Sequence, residues 1–134
     1  MPDRTERPRS EIVDDEYTRR VLACGIKVHK FMGVGLLEKP YETFFAHELR
    51  KNGFAVACQS TFPAVYDGIQ VDLGYVTDMI VDQRLIIEIK TVSHLLPIHE
   101  AQLLTYLRLS GIRLGLLMNF HANPLMKGVR RLVI

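Results

Sequence analysis

Three residues in the stretch Thr77 to Lys90, TDMIVDQRLIIEIK, have side chains that could do chemistry: Asp78, Glu88 and Lys90. They sit within two apolar runs suited to buried strands. Alternate side chains of a strand share a face, so Ile86, Glu88 and Lys90 point one way and Leu85, Ile87 and Ile89 the other. If Asp82, Gln83 and Arg84 form a three-residue hairpin loop, Val81 faces Leu85 and Asp78 stands opposite Glu88. Two like charges facing each other partly out of water require compensation. A divalent cation supplies it, and Mg²⁺ suits a few carboxylates, a carbonyl and retained waters. Lys90, two residues on, could orient a water beside the cation and stabilise charge developing on a phosphoryl group. The same residues also admit a plainer reading, a Glu88–Lys90 surface ion pair with Asp78 capping its strand.

Other side chains bear on that choice. Glu38, Glu42, Phe45 and Leu49 recur at helical spacing, which puts Glu42 on an inward face where a carboxylate can join a metal site. Glu38 is explained by the helix macrodipole alone. Gln102 and Tyr106 are four apart and share a helix face just beyond the Glu-x-Lys strand. Such a pair can hold a nucleotide phosphate or base, or Tyr106 can simply pack on the sheet. His94, His99 and His121 lack the H-x-x-x-H spacing of a zinc site, and His99 is expected near the mouth of the cleft or merely exposed. Cys24 and Cys58 lie in apolar surroundings with no metal-ligand spacing and read as buried free thiols.

The elements that must position these groups follow from periodicity. Tyr17, Val21, Cys24, Val28 and Phe31 predict an amphipathic helix from about Asp14 to Met32, with Asp14 or Asp15 as N-cap. A second helix begins near Glu38 or Lys39, tolerates Pro40 in its first turn and stops at Gly53. Then FAVACQSTF, AVYDGIQVDL, YVTDMIV and RLIIEIK read as consecutive antiparallel strands punctuated by Asp67-Gly68, Gly74 and Asp82-Gln83. PIHEAQLLTYLRLSG predicts a helix from Pro97 to Gly111, with Ile98, Ala101, Leu104, Leu107 and Leu109 on its apolar side and Leu103 widening it. RLGLLMNF predicts a buried strand and VRRLVI a final, edge-ward one.

At 134 residues the chain fits one domain, expected over 14–134 behind a flexible tail, 1–13, that lacks the apolar core of a secretory signal. No apolar run reaches the roughly 20 residues of a membrane span. A cytoplasmic location is expected from the free cysteines. Net charge is +2, which permits nucleic-acid binding without arguing for it, although Arg108, Arg113, Lys127, Arg130 and Arg131 cluster in the C-terminal third.

Taken together, Asp78, Glu88-Ile89-Lys90 and Gln102-Leu-Leu-Thr-Tyr106 resemble the PD-(D/E)XK nuclease superfamily, with Thr77 where the name has proline. GLLEKPYE, Gly35 to Glu42, is similar to the signature of the GxxExxY protein family, a small single-domain branch of it, and the likeness runs from about Val21 to Ile134. The resemblance implies an α/β, restriction-endonuclease-like fold: an α-β-β-β-α-β core with a central mixed sheet flanked by helices. It also implies Asp78, Glu88, the Ile89 carbonyl and Glu42 as ligands of Mg²⁺ or Mn²⁺, Lys90 as catalytic lysine, and Gln102 with Tyr106 as accessory residues. The expected activity is hydrolysis of DNA. A catalytically silent nucleic-acid-binding or protein-interaction module is the alternative. A homodimer is among the arrangements by which a nuclease this small engages both strands.

Overall fold

A computed structural model describes residues 16–72 and 76–134. The expected tail, 1–13, the N-cap at Asp14 or Asp15 and the turn at Gly74 lie outside the described residues. Helices α1 (Glu16–Met32) and α2 (Glu38–Lys51) come first, then strands β1 (Val56–Thr61), β2 (Ala64–Tyr66), β3 (Ile69–Val71), β4 (Val76–Val81) and β5 (Leu85–Lys90). Helix α3 (Pro97–Ser110), strand β6 (Leu114–Asn119), a 3-10 turn (Leu125–Gly128) and strand β7 (Val129–Val133) complete the chain.

Five strands form one mixed sheet in the order β1-β4-β5-β6-β7, in which β5 and β6 are parallel and the other neighbours antiparallel. The parallel pair is what a strand–helix–strand crossover through α3 produces. This is a mixed α/β architecture of the restriction-endonuclease-like kind. The strands between β1 and β4 depart from the expected consecutive pairing. β2 and β3 form a separate two-stranded hairpin, and β1 pairs directly with β4, Val56 opposite Val81. The hairpin turns at Asp67 and Gly68, both at positive φ, and exposes Val65, Tyr66, Ile69 and Val71. With only three residues per strand, and its apolar side chains exposed, it contributes nothing to the core.

The sheet buries both faces. Against α1 and α2 lie Met79, Val81, Leu85, Ile87, Ile89, Leu116 and Met118, packed on Val21, Phe45 and Leu49. Against α3 lie Ile80, Ile86 and Leu117, packed on Leu103, Tyr106 and Leu107. The alternation expected in LIIEIK holds, and β5 is buried from both sides. The buried side of α3 is Leu103, Tyr106 and Leu107, not the line through Ile98 and Ala101, which are exposed. Gly115 explains how closely α3 seats: a Cβ there would meet the Leu103 side chain at 3.0–3.1 Å. Both thiols are free, but Cys58 is only half-buried.

The connection between α1 and α2 explains the Gly-x-x-Glu-x-x-Tyr spacing locally. Gly35 takes φ +109°, and the buried Tyr41 hydroxyl donates to the Gly33 carbonyl and accepts from the Leu36 N–H at 3.3 Å. Its ring stacks on Phe120 with centroids 4.7 Å apart. Glu38 stays exposed.

Candidate metal centre

The hairpin that carries the candidate carboxylates is pinned at its turn. Asp82 accepts from the Ala55 N–H at 2.8 Å and from the Tyr17 hydroxyl at 3.0 Å, while its own N–H donates to the Ala55 carbonyl at 2.8 Å. Arg84 stacks over the Tyr17 ring at 3.7 Å. Burial first, then Asp82, raises the Tyr17 hydroxyl well above the usual phenol range, so it stays a donor. Helix α1 thereby fixes the register, with Val81 opposite Leu85 and Met79 opposite Ile87.

One step further along that register Asp78 and Glu88 face each other, and the backbone ladder gives way to their side chains. The Asp78 N–H donates to Glu88 Oε1 at 3.1 Å, and the Ile89 N–H donates to Asp78 Oδ2 at 2.7 Å. A strand residue's N–H and C=O point to the same side. Lys90 turns its carbonyl toward β6, where it accepts from the Phe120 N–H at 2.8 Å. Ile89 therefore aims its carbonyl at β4, into the gap beside Asp78.

Electrostatically the pair is uncomfortable. Glu88 is buried, and burial, with the Asp78 charge adding to it, pushes its carboxyl up to about 8. Burial also raises Asp78, with Glu42 and Glu38 adding and the Ile89 N–H and Lys90 opposing. The Lys90 ammonium favours the charged form of both acids without restoring either to its ordinary value. Two desolvated acids with accepting oxygens, and a main-chain carbonyl on the β4 side of the same strand, are ligands of the type a small hard cation takes.

Glu42 is placed behind this pair. It is 4% exposed, accepts from Gln59 Nε2 at 2.9 Å and pairs with Lys39 at 3.7 Å, while its Oε1 has no hydrogen-bond partner. Its charge still reaches Asp78. Among the described residues no three His, Cys, Asp or Glu side chains converge as a ready cluster for a metal. The structure thus brings Asp78 and Glu88 together and holds Glu42 at one remove. Gln59 carries no signal in the sequence. It lies between the β1 residues paired with Met79 and Thr77, across from Asp78, and adopts φ +55°. A non-glycine residue in the left-handed region inside a strand has nothing in its local pattern to announce it.

On the α3 side Tyr106 is buried against Ile80 and Ile86, the strand face that carries Asp78 and Glu88, and Gln102 is half-buried one turn earlier. His99 serves its own helix, where its Nδ1 accepts from the Leu96 N–H at 3.0 Å and caps α3.

The profile of the PD-(D/E)XK nuclease superfamily matches residues 15–132, nearly the whole chain. The chain belongs to the PD-(D/E)XK nuclease superfamily. Searches of curated proteins and of solved structures gave no match. Superfamily membership gives the facing acids a context in nuclease-type chemistry on nucleic acids, where divalent metals are in general use. No helix among the described residues is long and apolar enough to cross a membrane.

Proposed function

We propose that this PD-(D/E)XK chain is a Mg²⁺- or Mn²⁺-dependent nuclease of the GxxExxY branch that hydrolyses the phosphodiester backbone of DNA. The observation that carries the reading is the pairing of half-buried Asp78 with buried Glu88, each acid held by a main-chain N–H of the other's strand. Asp78, Glu88 and the Ile89 carbonyl would hold the ion, and Glu42 would support it. Once bound, the ion supplies Lewis-acid polarisation of the phosphoryl group and activates the attacking water. Lys90 stabilises charge developing on the scissile phosphate from the same strand face. Gln102 and Tyr106 position the nucleotide from α3.

A second reading, a catalytically silent nucleic-acid-binding or protein-interaction module, is favoured by one observation: Glu42 is engaged by Gln59 and Lys39 rather than joined to the pair. Cleavage of single-stranded, duplex and branched DNA, with RNA as the competing substrate, decides between them. The nuclease reading expects divalent-dependent cleavage that Asp78→Ala abolishes and Lys90→Ala lowers by about 100- to 1,000-fold in kcat. Cleavage unchanged in both variants, or absent with every divalent ion, favours the silent module.

A further inference from the structure

A small pocket opens beside the C-terminal end of β5, outside the proposed metal centre. It has a volume of about 200 Å³ and is lined by Ser93, His94, Asn119, Lys127, Gly128 and Arg130, with no carboxylate among its lining residues. We propose that it binds a backbone phosphate of the nucleic acid, close along the strand to the one to be cut. The proposal rests on the nuclease reading for its choice of ligand.

The pocket is built by two separate constraints. The Asn119 side chain clamps Val92, accepting from its N–H at 3.1 Å and donating to its carbonyl at 2.8 Å. Ser93 and His94 are thereby fixed against the end of β6. On the other wall, a Cβ at Gly128 would lie 2.6 Å from the Asn119 carbonyl oxygen and 2.7 Å from the Ala122 side chain. Only glycine lets the segment bearing Lys127 and Arg130 close on that spot. Arg130 is steadied by Glu100 at 3.7 Å and by the Val129 carbonyl at 3.2 Å.

The chemistry and the location agree. A hydroxyl, an imidazole, an ammonium and a guanidinium form a donor set for phosphate oxygens. No carboxylate lines the pocket, and the nearby Glu100 is already paired with Arg130. Asn119 is the register partner of Lys90 on the neighbouring strand, about 4.8 Å away, and Ser93 follows Lys90 by three residues of about 3.3 Å each. With a rise of about 3.4 Å per nucleotide along one strand, the pocket sits about one to three nucleotides from the phosphate that Lys90 would attend.

The test measures binding of fluorescein-labelled single-stranded and duplex DNA by anisotropy in metal-free buffer, across a salt series. Lys127→Gln and Arg130→Gln are each expected to reduce the slope of log K against log salt by about 0.7 to 0.9, one phosphate contact. Lys127→Arg restores it. Lys51→Gln, at the far end of α2, leaves it unchanged. An unaltered slope in Lys127→Gln and Arg130→Gln, an equal loss in Lys51→Gln, or no binding by the wild-type protein overturns the proposal. A parallel cleavage assay keeps the two claims apart. Binding with the expected slope changes but no cleavage under any divalent ion sinks the nuclease and leaves the pocket. Cleavage with KM unchanged in Lys127→Gln does the reverse.

Discussion

Asp78 and Glu88 are cross-held: the Asp78 main chain donates to the Glu88 carboxylate at 3.1 Å, and the residue after Glu88 donates to the Asp78 carboxylate at 2.7 Å. Asp78 takes the place of a backbone acceptor for the Ile89 N–H at the point where the β4–β5 ladder ends. The hairpin is therefore opened by the same groups that make it a candidate metal centre.

Removing one charge from this pair should relieve the metal-free protein. Glu88→Gln keeps an oxygen for the Asp78 N–H and removes a desolvated charge. It is expected to stabilise the apo fold by about 1 kcal/mol at pH above 8, since a tenfold change in a carboxyl's proton affinity is worth about 1.4 kcal/mol. The added stability that Mg²⁺ gives the wild type should vanish in the same variant. Thermal melts of both proteins with and without Mg²⁺ check this, and a lower apo melting temperature in Glu88→Gln contradicts it.

The pH dependence has a definite sign. The folded Glu88 carboxyl sits near 8 against an ordinary 4.5, so the folded chain keeps a proton that the unfolded chain has released across that window. Its contribution to stability is full below about 4.5 and is lost as pH rises through about 8. Urea denaturation from pH 5 to 9 in EDTA should show wild-type stability falling with pH more steeply than that of Glu88→Gln. Mg²⁺ affinity should rise over the same interval, because binding expels the proton.

Gln59 separates backbone strain from side-chain support. Both Gln59→Ala and Gln59→Gly remove the donor to Glu42, but only glycine accepts φ +55° freely. The glycine variant should be the more stable by about 1 kcal/mol. Divalent-dependent cleavage should fall by about tenfold in both, equivalent to about 1.4 kcal/mol of barrier. Equal rates in wild type and both variants would remove Gln59 and Glu42 from the centre.

The hairpin turn carries a purely structural prediction. Asp82→Ala leaves the exposed Ala55 N–H to water and the Tyr17 hydroxyl with only the Val81 carbonyl at 3.4 Å, and should cost about 1 kcal/mol. Tyr17→Phe should cost less, since the Ala55 contact survives. Urea denaturation of the two variants ranks them, and an equal or reversed order contradicts the turn's role as the register anchor.

Much of this arrangement is legible in the sequence because it depends on periods. The two-residue repeat of LIIEIK and the three-residue turn determine which side chains meet, and both are visible in one strand pair. Glu42 is readable for the same reason, on the inward line of Phe45 and Leu49. Pairing partners are not. Residues 64–71 have the same local texture as the sheet strands, and nothing local tells whether β1 continues into them or reaches past them to β4. The buried face of α3 departs from the expected one because Ile98 and Ala101 are apolar but remain exposed, while Gly115 draws Leu103 inward from another element. Gln59 is hidden because its conformation is imposed by tertiary contacts, and glutamine gives no hint of a left-handed residue.

The most direct test is a crystal structure of the protein soaked in Mn²⁺, read by its anomalous signal. The account predicts one strong peak in direct coordination of Asp78, Glu88 and the Ile89 carbonyl in the wild type, lost in Glu88→Gln. Saturating Mn²⁺ with no peak between β4 and β5, or a peak that survives Glu88→Gln unchanged, would contradict it.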